Sequence, residues 1–98
     1  MADIVQQTAR VDRFAEQMKT ELRNNAYKGD WRECPGFTAL AAANRARQEL
    51  DELFDAITAG ADPIEVLVEA ADVANMVLMA ADMYSLGLSG CPIPDETP

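Results

Sequence analysis

Residues 66–81 read VLVEAADVANMVLMAA, and this stretch decides the fold. Only Glu69, Asp72 and Asn75 are polar, and each follows the last by three positions. A helix that is apolar on nearly all sides must be covered on nearly all sides. The run is too short, and too interrupted by acids, to span a bilayer. It therefore predicts a core helix that carries two acids and an amide on one flank.

The segment GADPIE, residues 60–65, marks where this helix begins and the preceding one ends. Gly60 suits the position just after a helix end, and Pro63 suits the first position of a helix. Asp62 is an N-cap, and Glu65 completes a capping box with it. We expect one helix over residues 38–59 and the next from residue 63 to about residue 86. Because the link is short, these two helices should be antiparallel neighbours.

A first helix is predicted over residues 3–25, from an apolar stripe that comprises Ile4, Val11, Phe14, Met18 and Leu22. The second helix has its own apolar stripe, which we expect to be buried and which comprises Leu50, Leu53, Phe54 and Ile57. Nothing in the sequence predicts a strand. The expected fold class is all-α, an antiparallel helical bundle of about three main helices per chain.

The chain has 98 residues, which fits one small domain. We assign residues 1–88 to an all-α helical domain. Residues 89–98 form a tail with three prolines and two acids, which we expect to be loosely ordered. Two amphipathic helices do not suffice to cover the apolar third helix. We therefore expect oligomerisation to complete the bundle, as a homodimer or homotetramer.

The composition excludes several function classes. The net charge is −9, and it disfavours nucleic acid and anionic membrane surfaces, because both are bound through basic patches. The absence of histidine excludes the usual catalytic triads and most zinc sites. Cys34 and Cys91 form no CxxC motif, and the polar start MADIVQQTAR is not a secretory segment. We expect a cytoplasmic protein with reduced thiols.

Two pairs of acidic residues are the main candidates for functional residues. At 100° per residue, Glu49 and Glu52 lie about 60° apart on one face of the second helix, and Glu69 and Asp72 repeat that spacing on the third. Taken alone, the first pair is better explained as a solvated charged face, because glutamates are mostly exposed. The second pair has apolar neighbours, so its charges need compensation by a basic side chain, a shared proton or a metal ion.

A short antiparallel link would bring the two acidic pairs face to face, as in the carboxylate sites of helical bundles. Basic side chains are scarce, although Arg45 lies one turn before Glu49 and can pair with it. Carboxylate ligands without Cys or His favour hard cations, Mg²⁺ or Mn²⁺.

These motifs resemble those of a known family. ELDEL (residues 49–53) followed by EAADVANM (residues 69–76) resembles the ExxE…ExxD signature of the MazG-like, all-α nucleoside triphosphate pyrophosphohydrolases. YKGDW (residues 27–31) resembles the KGGW-type segment of some small members, including phage-encoded ones. The resemblance covers residues 28–82. The chain departs from the pattern at Asp30, where Gly is commoner, and at Gln48, where many relatives carry Glu.

The resemblance implies Mg²⁺-dependent hydrolysis of (deoxy)nucleoside triphosphates to monophosphate and pyrophosphate, in the cytoplasm of a bacterium or of a phage's host. The implied metal-binding and catalytic residues are Glu49, Glu52, Glu69 and Asp72. The implied substrate-side residues are Lys28, Trp31, Asn75 and Arg45.

Three of the substrate-side residues also have a plainer interpretation. Lys28 can meet a phosphate or be an ordinary exposed lysine. Trp31 can stack on a base or cap the end of the bundle. Asn75 can hydrogen-bond the sugar of the ligand or a neighbouring helix.

Two other functions stay open. One is a non-catalytic helical interaction protein whose acids pair with Arg or Lys of a partner chain. The other is a degenerate family member that binds metal or nucleotide without turnover.

Overall fold

A computed structural model describes residues 3–87 of the chain, and they are all-α. The three long helices are α1 (Ile4–Asn24), α2 (Ala39–Thr58) and α3 (Pro63–Gly87). Two 3₁₀ turns, Ala26–Lys28 and Trp31–Glu33, lie between α1 and α2. No strand occurs within residues 3–87, as expected. The expectation for residues 89–98 lies outside the described part of the chain.

Local capping defines where the helices begin. Asp3 caps α1 by accepting hydrogen bonds from the amides of Val5 and Gln6. Thr38 caps α2 through the amide of Ala41, and Asp62 accepts from the amide of Ile64 at the start of α3. Each cap satisfies amides that have no partner within the helix.

The link between α2 and α3 is a glycine-terminated helix end. Gly60 has φ +71°, and its amide donates to the carbonyl of Ile57 at 3.1 Å. The amide of Ala61 donates to the carbonyl of Ala56 at 3.0 Å. This pair of bonds is the Schellman arrangement, which needs a left-handed residue that glycine adopts without strain. The predicted boundary between the two helices is confirmed.

Helix α3 is the central element, because it packs against both α1 and α2. Its C-terminal half lies beside the N-terminal half of α2, where Ala80, Ala81 and Tyr84 flank Ala39 and Ala43. The two helices are therefore antiparallel, as predicted. Alanines on the inner face of α2, Ala42 and Ala46, are buried against α3 and allow the helices to approach closely.

The predicted burial of the α2 apolar stripe is wrong for this chain by itself. Leu50, Phe54 and Ile57 are 53%, 68% and 59% exposed, and Leu53 is half-buried. The face of α2 that carries Ala42 and Ala46 (the alanine face) turns toward α3, rather than the face with the apolar stripe (the leucine face). Small side chains permit closer helix packing. Ile64 and Leu67, at the start of α3, are also exposed.

The described residues contain no large side chain that is fully buried. The buried hydrophobic residues among them are Ala42, Ala46 and Ala71. The Cα radius of gyration is 15.0 Å, whereas a compact chain of 100 residues has about 13 Å. A single chain thus leaves much of its apolar surface in contact with solvent. No helix within residues 3–87 combines the length and apolarity needed to cross a membrane.

Candidate functional site

Three of the four predicted acids converge where α2 faces α3. Glu49 lies on α2, and Glu69 and Asp72 lie one turn apart on α3. One carboxylate oxygen from each lies within 4.8 Å of the other two. The side chain of Glu49 is only 12% exposed, so this acid turns inward from α2 although the adjacent Leu50 is exposed. The structure therefore brings the two acidic motifs together.

Burial and like charge raise the pKa of all three carboxyl groups. For Glu69 the main cause is burial, followed by the negative charges of Glu52 and Asp72. Burial also raises the pKa of Asp72, as do the charges of Glu21 and Glu52, while Lys28 opposes them. The cluster is consequently an unfavourable arrangement when all its members are ionised.

The pKa of Glu49 is raised first by burial and then by its hydrogen bond to Glu52, with Arg45 acting in the opposite direction. Two carboxylates can share a hydrogen bond only if one of them holds a proton. Glu52 is exposed and stands outside the group of three, next to Glu49. The four acids are therefore not equivalent: three face one another and the fourth borders them from the solvent side.

The three converging acids fit a hard cation. The Oε2 atom of Glu69 is buried and has no hydrogen-bond partner among the described residues. A buried acceptor without a partner is unfavourable by about 1–3 kcal/mol, and more when it is charged. Carboxylate oxygens are the ligands that Mg²⁺ and Mn²⁺ prefer. The donor set and the unpartnered oxygen are both compatible with a divalent ion bound by Glu49, Glu69 and Asp72.

A cavity of about 660 Å³ opens beside the acids. Binding sites for small molecules span roughly 300–1,000 Å³. One side of the cavity is formed by the end of α1 and the segment between α1 and α2, and the other by α2 and α3. Its polar and aromatic lining residues are Glu21, Asn25, Lys28, Asp30, Trp31, Arg32, Phe37, Arg45, Glu49, Asp72 and Asn75.

All four predicted substrate-side residues line this cavity. Lys28 is exposed, and its ammonium lies 5.9 Å from the centre of the Tyr27 ring. Arg45 donates to Glu49 Oε1 at 2.9 Å and to Gln48 Oε1 at 3.0 Å. The pairing of Arg45 with Glu49 that the sequence allowed is present, so Arg45 neutralises part of the acidic charge.

Asn75 is 4% exposed and joins α3 to α1, because its Nδ2 donates to the carbonyl of Met18 at 3.0 Å. Its Oδ1 is buried and has no partner among the described residues. The hydrogen bond to a neighbouring helix, one of the two predicted alternatives, is therefore made, and the amide oxygen is left without a partner among the described residues.

Trp31 is half-buried, and its Nε1 donates to Asp82 Oδ2 at 2.8 Å. Arg32 binds the same carboxylate twice, through Nε at 2.8 Å and Nη2 at 2.6 Å. These hydrogen bonds hold the pKa of Asp82 below its usual range, although its burial acts in the opposite direction. The Trp31–Glu33 turn is thus fastened to α3.

Sequence reasoning did not single out Glu21, Arg32 or Asp82. Asp82 had a detectable signal, because it lies seven residues after Asn75 and therefore on the same face of α3. Glu21 lies three residues after Met18, at the edge of the α1 stripe, and Gln17 donates to its Oε2 at 2.9 Å. Nothing in the local sequence indicates that Arg32 meets Asp82, fifty residues away.

Comparison of the chain with known protein families, with curated proteins and with solved structures finds no match. The resemblance to MazG-like pyrophosphohydrolases therefore depends on the acidic motifs and the KGDW segment alone. These comparisons assign no family. The structure itself shows an all-α protein of about three main helices.

Proposed function

We propose that this chain is a Mg²⁺-dependent pyrophosphohydrolase that cleaves (deoxy)nucleoside triphosphates into monophosphate and pyrophosphate. One observation carries the proposal: three carboxylates from two helices meet beside a cavity, and one of their buried oxygens lacks a partner. The type of reaction is inferred from the motif resemblance. The arrangement of the acids is compatible with binding of the metal ion on which that reaction depends.

The charge of the cavity supports a role for the cation. Its lining includes three cationic side chains, Lys28, Arg32 and Arg45, and four acidic ones, Glu21, Asp30, Glu49 and Asp72. Arg32 and Arg45 are already engaged with carboxylates. A triphosphate would meet net repulsion here unless a divalent ion reversed the local field.

Each acid has a role in this proposal. Glu49, Glu69 and Asp72 would hold the ion, which when bound neutralises phosphate charge and lowers the pKa of a coordinated water. Glu52, which stands outside the group of three, accepts the proton of the attacking water. The water oxygen bonds to the α-phosphorus, the bond from that phosphorus to the bridging oxygen breaks, and pyrophosphate leaves. Mn²⁺ is expected to substitute for Mg²⁺, because both prefer carboxylate and water ligands.

The remaining lining residues would bind the rest of the nucleotide. The ammonium of Lys28, exposed at the rim, suits a phosphate oxygen, and Arg45 can contribute a second positive charge. The indole of Trp31 offers a face on which a base can stack. The unpartnered Oδ1 of Asn75 suits a donor such as a sugar hydroxyl.

A second copy of the chain is the proposed partner. The exposed stripe of Leu50, Phe54 and Ile57 on α2, together with Ile64 and Leu67 on α3, forms an apolar outer face. Exposed apolar surface of this kind marks interaction sites. A homodimer or homotetramer would bury it and supply the large core side chains that the described part of one chain lacks.

The same outer face favours a second candidate function, a helical interaction protein without catalysis. The ion pair between Arg45 and Glu49, although it lies within one helix, shows that a basic side chain can neutralise one of these acids; this alternative requires the same from a partner chain. The two functions differ in their response to metal. A cation site stabilises the folded state by mass action, so Mg²⁺ should raise the melting temperature of a pyrophosphohydrolase and leave that of a salt-bridged interaction protein nearly unchanged.

The direct test is a panel of ribo- and deoxynucleoside triphosphates, incubated with the protein and Mg²⁺ and assayed for pyrophosphate. We expect pyrophosphate and monophosphate in equal amounts from at least one nucleotide, and none when EDTA replaces Mg²⁺. Mg²⁺-dependent stabilisation without turnover of any nucleotide would instead indicate a degenerate, binding-only protein. Release of orthophosphate as the first product would contradict the proposed reaction.

A further inference from the structure

The segment between α1 and α2 forms one wall of the cavity, yet it has little secondary structure of its own. It consists of two short 3₁₀ turns, Ala26–Lys28 and Trp31–Glu33. Asp30 caps the second turn by accepting from the amide of Arg32 at 3.0 Å. This bond shapes the turn but does not attach it to the bundle.

Attachment of the turn to α3 depends on Asp82. Within the described residues, the side-chain hydrogen bonds from the Trp31–Glu33 turn to α3 all end on this carboxylate. Asp82 is 4% exposed, and both of its oxygens are used. A bidentate guanidinium–carboxylate pair restricts distance and orientation together, so the turn has a defined position rather than only an attraction to the helix.

Asp82 itself is not part of the cavity lining. It lies ten residues after Asp72 on the same helix, which is about 15 Å along the axis at 1.5 Å per residue. Through Trp31 and Arg32, however, it contacts two side chains that do line the cavity. Asp82 would therefore act on a ligand only through Trp31 and Arg32. Its substitution can be distinguished from substitution of the three clustered acids, Glu49, Glu69 and Asp72.

We infer that Asp82 is a positioning residue, which holds the Trp31–Glu33 turn against α3 so that the Trp31 ring forms a fixed wall for the nucleotide base. This inference rests on the proposed function for its ligand. Asp82 touches neither the metal-facing carboxylates nor the cavity, so its loss should weaken nucleotide binding more than it slows the chemical step.

The experiment uses the full chain, in which Trp31 is the only tryptophan. Its fluorescence therefore reports on this turn without interference. In Asp82→Asn the bidentate acceptor is lost, so we expect Trp31 emission at longer wavelength and stronger quenching by acrylamide, both measured without nucleotide or metal. Asp12→Asn, which makes the same change at an exposed position on α1, should leave both readouts at the wild-type values.

The nucleotide readout is the KM and kcat for the best substrate of the wild-type protein. The Asp82 bonds do not touch the nucleotide, so they act on KM through the fraction of protein in which the turn is in place. Loss of a charge-assisted hydrogen bond can lower that fraction about tenfold, so KM for Asp82→Asn should rise about tenfold. The kcat should change far less. A purely structural defect would lower both kcat and helix content, and far-ultraviolet circular dichroism checks the latter.

A second variant covers the case in which Asp82→Asn does not fold because the Arg32 guanidinium loses the ionised Asp82 carboxylate. The double variant Asp82→Leu with Arg32→Met removes both charges while keeping apolar bulk, and its Trp31 emission should show the same red shift and stronger quenching.

Unchanged Trp31 fluorescence in the folded variant would overturn the positioning role, whatever the activity. A displaced Trp31 with unchanged KM would overturn the role in base binding. Failure of the wild-type protein to cleave any nucleotide would overturn the proposed function and the base-binding role, while the fluorescence would still decide whether Asp82 holds the turn.

Discussion

At the scale of single residues, the same side-chain type behaves differently according to its neighbours. Glu69 and Asp82 are both acids on α3 with little exposure to solvent. Burial and neighbouring carboxylates raise the pKa of Glu69, whereas Arg32 and Trp31 lower that of Asp82. The Oε2 atom of Glu69 has no hydrogen-bond partner among the described residues, whereas Asp82 is paired with Arg32. Local surroundings, rather than residue type, thus separate a candidate ligand from a structural ion pair.

Substitution of Glu69 or Asp72, two of the three clustered acids, tests the proposed chemistry. Glu69→Gln or Asp72→Asn should lower turnover by about a hundredfold or more, because each removes charge that holds the cation at the phosphate. The helix content should remain near that of the wild type. Pyrophosphate release and circular dichroism provide the measurements. Asp51→Asn, on the exposed side of α2, is the matched control and should keep full activity. Full activity in either Glu69→Gln or Asp72→Asn would exclude that residue from the site.

The pH dependence of stability follows from the raised pKa values of Glu49, Glu69 and Asp72. When the pKa in the folded state exceeds that in the unfolded state, the folded protein holds more protons between the two values, and stability falls as pH rises through that window. Without metal, the melting temperature should therefore decrease from the usual carboxyl range, near 3.8–4.5, toward neutral pH.

Two controls accompany this pH series. With saturating Mg²⁺ the decrease should vanish or reverse, because a bound cation favours the ionised acids. In Glu69→Gln the metal-free decrease should be shallower. Asp82 acts in the opposite sense, since its lowered pKa contributes stability that is lost as pH falls below its usual value. A metal-free melting temperature that rises steadily toward neutral pH would contradict the clustering of the three acids.

At the scale of helices, the link between α2 and α3 controls the site. The turn at Gly60 sets how α2 returns along α3, and hence whether Glu49 comes opposite Glu69 and Asp72. The positive φ of Gly60 makes this turn possible with two hydrogen bonds across the helix end. A local feature of the backbone therefore determines a distance between side chains that are nine or more residues away from it.

Replacement of this glycine should destabilise the fold modestly. Apart from the two chain neighbours of Gly60, no described residue has an atom within 4 Å of a Cβ added at this position, so backbone strain is what opposes Gly60→Ala. That strain corresponds to about 1–2 kcal/mol in the free energy of unfolding, measured by urea denaturation. Gly87→Ala makes the same chemical change in an equally open position without positive φ, and should be neutral or slightly stabilising. Equal effects at both positions would contradict the strain argument.

At the scale of the whole molecule, the described part of one chain does not enclose a core of large side chains. The alanine faces of α2 and α3 pack within the chain, and the leucine face of α2 is left outside. Burial of an apolar side chain contributes about 1.5–3 kcal/mol, so a chain that leaves several in water gains considerably from a partner that covers them. This is the physical basis for the proposed oligomer.

A charged substitution on the outer face should dissociate that oligomer. We expect the wild-type protein to elute as a dimer or tetramer in size exclusion with light scattering, and Phe54→Glu to shift toward monomer with a lower melting temperature. Gln48→Glu adds the same charge to α2 about 120° around the helix from Phe54, and should keep the assembly. A wild-type protein that is monomeric at high concentration would refute the second copy as partner.

The sequence alone determined the helical class, the three helix spans and the link at Gly60, because hydrophobic periodicity, caps and helix-ending glycine act over a few residues. It also indicated the two acidic pairs, since their spacing along each helix is local. The tertiary structure decided which face of α2 turns inward, which acid stays outside the group of three, and that Asp82 holds Trp31 and Arg32. Those outcomes depend on how closely small side chains let two helices approach and on contacts between residues fifty positions apart, and no local pattern encodes either of them.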